Sequence, residues 1–148
     1  MDRKEFIKTC GLACLGGGAI SLLIQSCSTP AMVSGSLAGE NMIVSLSAFE
    51  EVKNKEMQYR KYILVHHPQL RYPICVFRFA ENNYYAVLLQ CTHQGNEVSV
   101  NGDRLHCSSH GSEFDQQGKV KKGPATVPLR SFDVTIQNQQ LAISLKAV

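Results

Sequence analysis

From about position 41 the chain alternates short apolar runs with polar or proline-bearing breaks. MIVSL (42–46), KYILVH (61–66), YPICVFRF (72–79) and YYAVLLQ (84–90) are dense in β-branched and aromatic residues, the composition of strands. EVSV and DRLHC flank Asn101-Gly102, a dipeptide suited to a tight hairpin turn. SFDVTIQ and QLAISL form a last hairpin-like pair around NQQ. Helical periodicity is weak beyond one turn suggested by SAFEEV, and no internal repeat is present. The pattern predicts an all-β domain over 41–148, an antiparallel β-sandwich or small barrel.

The first forty positions read differently. Arg3, Lys4 and Lys8 precede an apolar run, Gly11–Ile24, which would span only about 21 Å as a helix. That is short of the roughly 30 Å hydrocarbon core of a bilayer, so residues 1–26 fit a signal peptide better than a membrane anchor. DRKEFIK resembles a twin-arginine export signal, with Lys4 where the second arginine is usual. LLIQSC resembles a bacterial lipoprotein processing site, with Cys27 as the lipidated residue and Gln25 larger than usual. STPAMVSGSLAGEN, interrupted by Pro30, Gly35 and Gly39, predicts a flexible linker over 27–40. The expected product is an exported domain held at the bacterial cell envelope by a lipid anchor.

Composition narrows this only a little. Fifteen basic against twelve acidic residues give a net charge of +3, with no basic run interleaved with aromatics, so no nucleic-acid partner is expected. Of the six cysteines, Cys10, Cys14 and Cys27 belong to the N-terminal segment. Cys75 lies in a strand-like run as a buried inert thiol. Cys91 and Cys107 remain, and each has a histidine nearby.

LLQCTHQGNEV holds Cys91 and His93, followed by Gly95; LHCSSHGSEFD holds Cys107 and His110, followed by Gly111. Both pieces follow predicted strands and fall in loops at one end of the sheet. Two thiolates and two imidazoles could form a tetrahedral zinc site. Zinc fingers, however, usually pair Cys with Cys and His with His along the chain. One Cys and one His per loop also suits a diiron cluster with two cysteines on one iron and two histidines on the other.

CTHQG, CSSHGSEFD and GPATVPL, taken in order over Cys91–Leu129, closely resemble the Rieske [2Fe–2S] family. The resemblance implies a Rieske-type fold with two cluster-binding loops and one [2Fe–2S] cluster per chain. It assigns Cys91 and Cys107 to the inner iron and His93 and His110 to the outer iron. Gly95 and Gly111 would let backbone N–H groups approach the sulfurs, and Gly123 and Pro124 open a proline loop that covers the cluster. Ser112 stands at a hydroxyl donor position, whereas Phe114 stands where high-potential members carry a donating tyrosine. Asn96 and Ser109 occupy the positions of the extra disulfide cysteines, so a hydrogen bond between them is expected in its place.

The family implies one-electron transfer by a component of an oxidoreductase that is not a catalyst by itself. With the export signal, the preferred expectation is a membrane-tethered subunit of a respiratory complex, partnered by a cytochrome or a quinol-oxidising subunit. A Rieske ferredoxin feeding an oxygenase is the alternative, and a structural zinc-binding module is a more distant one. No catalytic residue is assigned.

Overall fold

The computed structural model describes residues 30–146; the signal-peptide expectation over 1–26 and the lipidation expectation at Cys27 lie outside them. In chain order the strands are β1 (Ala31–Ser34), β2 (Ser36–Ala38), β3 (Asn41–Ser45), β4 (Glu50–Lys53), β5 (Glu56–Tyr59), β6 (Tyr62–His66), β7 (Ile74–Ala80) and β8 (Asn83–Leu88). They continue as β9 (Ser99–Asn101), β10 (Arg104–His106), β11 (Glu113–Phe114), β12 (Val120–Lys122), β13 (Ser131–Phe132), β14 (Val134–Gln137) and β15 (Gln140–Ser144). One 3-10 turn, Leu46–Phe49, is capped by the Ser45 side chain; it is the helical turn that SAFEEV suggested.

The all-β expectation holds, in three layers. A central sheet ordered β1-β6-β7-β8-β13 has the sheet β14-β15-β3-β2 on one side and the sheet β12-β11-β10-β9 on the other. Alternation along the central strands explains the layering. Ile74 and Val76 of β7 pack with Met42, Val44, Phe49, Leu141 and Ile143. Cys75 and Phe77, pointing the other way, pack with Leu89, Val98, Leu105 and Phe114. A strand buried on both faces reads as an unbroken apolar run, which is why YPICVFRF shows no alternation.

Two parts depart from expectation. The flexible linker over 27–40 is overturned for 31–38: β1 pairs in parallel with β6, and β2 pairs antiparallel with β3. Gly35 is there for packing, because a Cβ would run into the Met42 side chain and stand 2.9 Å from Val65 Cγ1. Among the described residues the β1–β6 pair is also the one parallel pairing, in a fold expected to be antiparallel. The second departure is the hairpin of β4 and β5, which turns through Asn54 and Lys55 at φ 54° and 66° without a glycine.

Candidate metal centre

The two Cys/His segments are built on one backbone frame. In the first, the N–H of Gly95 donates to the carbonyl of Cys91 at 2.8 Å, and the N–H of Cys91 to the carbonyl of Asn96 at 2.7 Å. In the second, the N–H of Gly111 donates to Cys107 at 2.9 Å, and the N–H of Cys107 to Ser112 at 2.9 Å. Each loop closes through a glycine in the left-handed region, φ 73° at Gly95 and 80° at Gly111. Side chains enter that region only at a cost, so the conformation favours glycine at both positions.

Equal frames with different histidine positions, second after the cysteine in one loop and third in the other, sort the four side chains. Cys91 and Cys107 are buried, as free thiols, in the apolar layer with Phe77, Leu89 and Phe114. His93 and His110 are exposed. Their rings meet edge to face with centroids 4.9 Å apart, although they come from separate loops. Among the described residues no three His, Cys, Asp or Glu side chains converge as a single-ion site requires. The donor set is instead a thiol pair inside and an imidazole pair outside.

A third segment locks both loops. The Thr92 hydroxyl donates to the carbonyl of Val127 at 2.7 Å. The N–H of Ala125 donates to the Ser112 hydroxyl at 3.0 Å. Ala125 and Leu129 are buried beside the thiols, and the Gly123–Pro124 peptide between these ties and β12 is cis. Ser112 is fully buried and spends an acceptor lone pair on Ala125, which keeps its hydroxyl hydrogen free to donate.

A family model describes this arrangement: the Rieske [2Fe-2S] domain matches residues 43–133. The chain belongs to the Rieske family. It is an electron-transfer domain with one [2Fe–2S] cluster. The cytochrome b6-f complex iron-sulfur subunit of Synechococcus sp. (strain CC9605) is 36% identical over 62 residues, 40% of this chain and 35% of that protein. The corresponding subunit of Chlorobaculum tepidum is 34% identical over 62 residues, 40% of this chain and 34% of that protein. The chain thus spans about a third of the length of the curated relatives it matches. The solved cyanobacterial plasma membrane Rieske protein of Synechocystis PCC 6803 is 26% identical, with a TM-score of 0.49, over 57% of this chain and 86% of that one.

The Rieske domain's residues fit its cluster: soft thiols lie in the dry interior, imidazoles at the rim, and a buried hydroxyl beside them has a hydrogen to give. Other expectations fare differently. Phe114 is fully buried among the thiols, where its ring excludes water but donates nothing. No hydrogen bond joins Asn96 to Ser109 among the described residues; the proline-loop ties of Thr92 and Ser112 brace the loops instead. Beside the proline loop, Lys121 lies 3.8 Å from Asp115 and Lys122 3.5 Å from Glu113. Sequence reasoning missed Ala125 and Val127, whose backbone groups do the tying and carry no side-chain signal. Burial pushes the thiol of Cys75 up, in keeping with an inert core residue.

Proposed function

We propose that Cys91 and Cys107 ligate the inner iron and His93 and His110 the outer iron. On this reading the domain is the membrane-tethered electron-transfer subunit of a bacterial oxidoreductase complex. The observation that carries the reading is the split donor set, two thiols inside and two solvent-facing imidazoles in edge contact. When bound, the cluster supplies a one-electron couple, with imidazole-ligated centres at roughly −150 to +300 mV against about −400 mV for all-cysteine plant-type centres.

The chain's own residues perform the rest. Cys91 and Cys107 hold the inner edge in an apolar shell, where Leu89, Phe114, Ala125 and Leu129 keep water away. His93 and His110 bring the outer edge to the surface, within short electron-hopping reach of a docked partner. The Ser112 hydroxyl favours the more negative, reduced state by donating towards it. Gly95 and Gly111 hold both loops closed whichever state is present.

Lipidation of Cys27 and export as a signal-bearing precursor supply the tether, and the cytochrome b6-f names of the matched relatives support a complex as the setting. Electron paramagnetic resonance of the dithionite-reduced protein, with iron and labile-sulfide assays, tests the ligands. A rhombic signal should appear in the wild type and vanish, with the sulfide, in Cys91→Ser and Cys107→Ser. A colourless, iron-free protein after anaerobic reconstitution would overturn the assignment. Cys27→Ala should move the protein from the membrane to the soluble fraction, and an unchanged distribution would remove the lipid tether.

A further inference from the structure

Strand directions set the two ends of the domain apart. β1 is parallel to β6, β6 antiparallel to β7, and β7 antiparallel to β8, so β1, β6 and β8 all run the same way. The Cys91 loop follows the far end of β8, whereas the chain enters β1 at the near end. The Lys61–Asp103 contact at 3.9 Å puts the turn of the β9–β10 hairpin at that near end too, with both metal-binding loops at the other. The hairpin of β4 and β5 also projects from the near end, since Tyr59 leads through Arg60 directly into β6.

Several large apolar side chains stand exposed at the near end. Val52 and Met57 are register partners across the hairpin, 72% and 59% exposed. Met32, 63% exposed, lines the same open cleft as Tyr59 and Lys61, and Phe79 is exposed just past the end of the β6–β7 pairing. Lys53 and Lys55 stand exposed around the hairpin turn, beside exposed Glu56, the register partner of Lys53. Apolar tips bordered by such side chains suit an interface of acyl chains below and zwitterionic or charged headgroups above.

We infer that the end formed by Met32, Val52, Met57, Tyr59 and Phe79 lies on the lipid surface, and that the His93–His110 edge faces the aqueous phase. The inference rests on the membrane tether proposed above. It goes further by committing the partner to a protein that approaches from the water side, rather than a quinol held within the bilayer. The chain itself argues for lipid as the occupant. From Cys27 to Pro30 it reaches at most about 11 Å even when fully extended, and β1 is then zipped to the domain. A lipid on Cys27 would therefore hold this end, and no other, against the membrane.

The chain contains no tryptophan, so single tryptophans report each end without background. Full-length Met57→Trp and Val127→Trp proteins are placed on vesicles of equal parts phosphatidylcholine and phosphatidylglycerol. Fluorescence is then quenched either by nitroxide-bearing lipid or by aqueous iodide. Met57→Trp should shift to the blue, lose emission to the nitroxide lipid and resist iodide. Val127→Trp, at the metal-binding end, should respond to iodide and ignore the lipid. Adding Val52→Glu to Met57→Trp should cut its lipid quenching to the level of Val127→Trp while the protein still floats with the vesicles.

Iodide-sensitive Met57→Trp on floating vesicles overturns the inference and leaves the tether standing. Lipid quenching of Val127→Trp as strong as that of Met57→Trp does the same. A blue shift of Met57→Trp that depends on protein concentration in detergent without vesicles assigns the face to a second copy and also overturns it. Failure of either protein to float removes the tether, and the inference falls with it.

Discussion

The N–H of Ala125 donates to the hydroxyl of Ser112 across 3.0 Å, with both residues buried. One side chain thereby holds the proline loop down while its own hydrogen stays free to donate. Ser112→Ala leaves the Ala125 amide buried and unpaired, which costs about 1–3 kcal/mol of stability. It also removes a donor to the reduced state. At about 1 kcal/mol for that bond the midpoint potential falls by roughly 40 mV. Redox titration followed by electron paramagnetic resonance reads the second effect, and urea unfolding the first. A stability loss with an unchanged potential would limit Ser112 to holding the loop.

Phe114 sits in the same buried layer as Cys91 and Cys107 and has no polar atom. Phe114→Tyr adds a donor beside the thiols and should raise the midpoint by roughly 40 mV if the hydroxyl finds a sulfur. Should it find none, the variant loses stability instead, because a buried hydroxyl without a partner is costly. The same titration, with an unfolding curve alongside, separates these outcomes.

Thr92 is the other tie to the proline loop, its hydroxyl 2.7 Å from the carbonyl of Val127. Thr92→Val keeps the shape and deletes the bond, at a net cost of about 1 kcal/mol. The loop then opens more often over the inner thiols. Loss of visible absorbance in air or under an iron chelator should run several-fold faster than in wild type, while the potential changes little. An unchanged rate would mean that Ser112 alone holds the loop.

These ties bear on what a single sequence makes legible. The four Cys/His side chains could be read because their chemistry stands within two short loops. The Asn101-Gly102 hairpin could be read because its turn type demands those residues; Arg104 and Leu105 pair with Asn101 and Val100 as expected. β1 could not, since nothing local in AMVS names β6 as its partner. The β4–β5 hairpin stayed hidden because Asn54 and Lys55 take positive φ without a glycine to mark the turn. The partner groups at Ala125 and Val127 are backbone atoms, which any residue there could supply. The bond expected between Asn96 and Ser109 came from replacing a crosslink by analogy; the fold meets the same need through the proline loop.

Cys75 gives the domain a pH dependence of known sign. Burial in an apolar layer holds its thiol protonated well above the ordinary range, whereas an unfolded thiol titrates near 8.5. Below that pH both states keep the proton, and the thiol adds no slope. Above it the unfolded chain binds fewer protons than the folded one, so stability falls as pH rises, by up to about 1.4 kcal/mol per unit for this group. The difference between Cys75→Val and wild type isolates this contribution. In urea midpoints measured from pH 7 to pH 10, the difference between the two proteins should move in favour of the variant as pH rises. Parallel curves over that range would mean that Cys75 has a route to ionise in the folded state, and that the layer it shares with Cys91 and Cys107 is wetter than its packing implies.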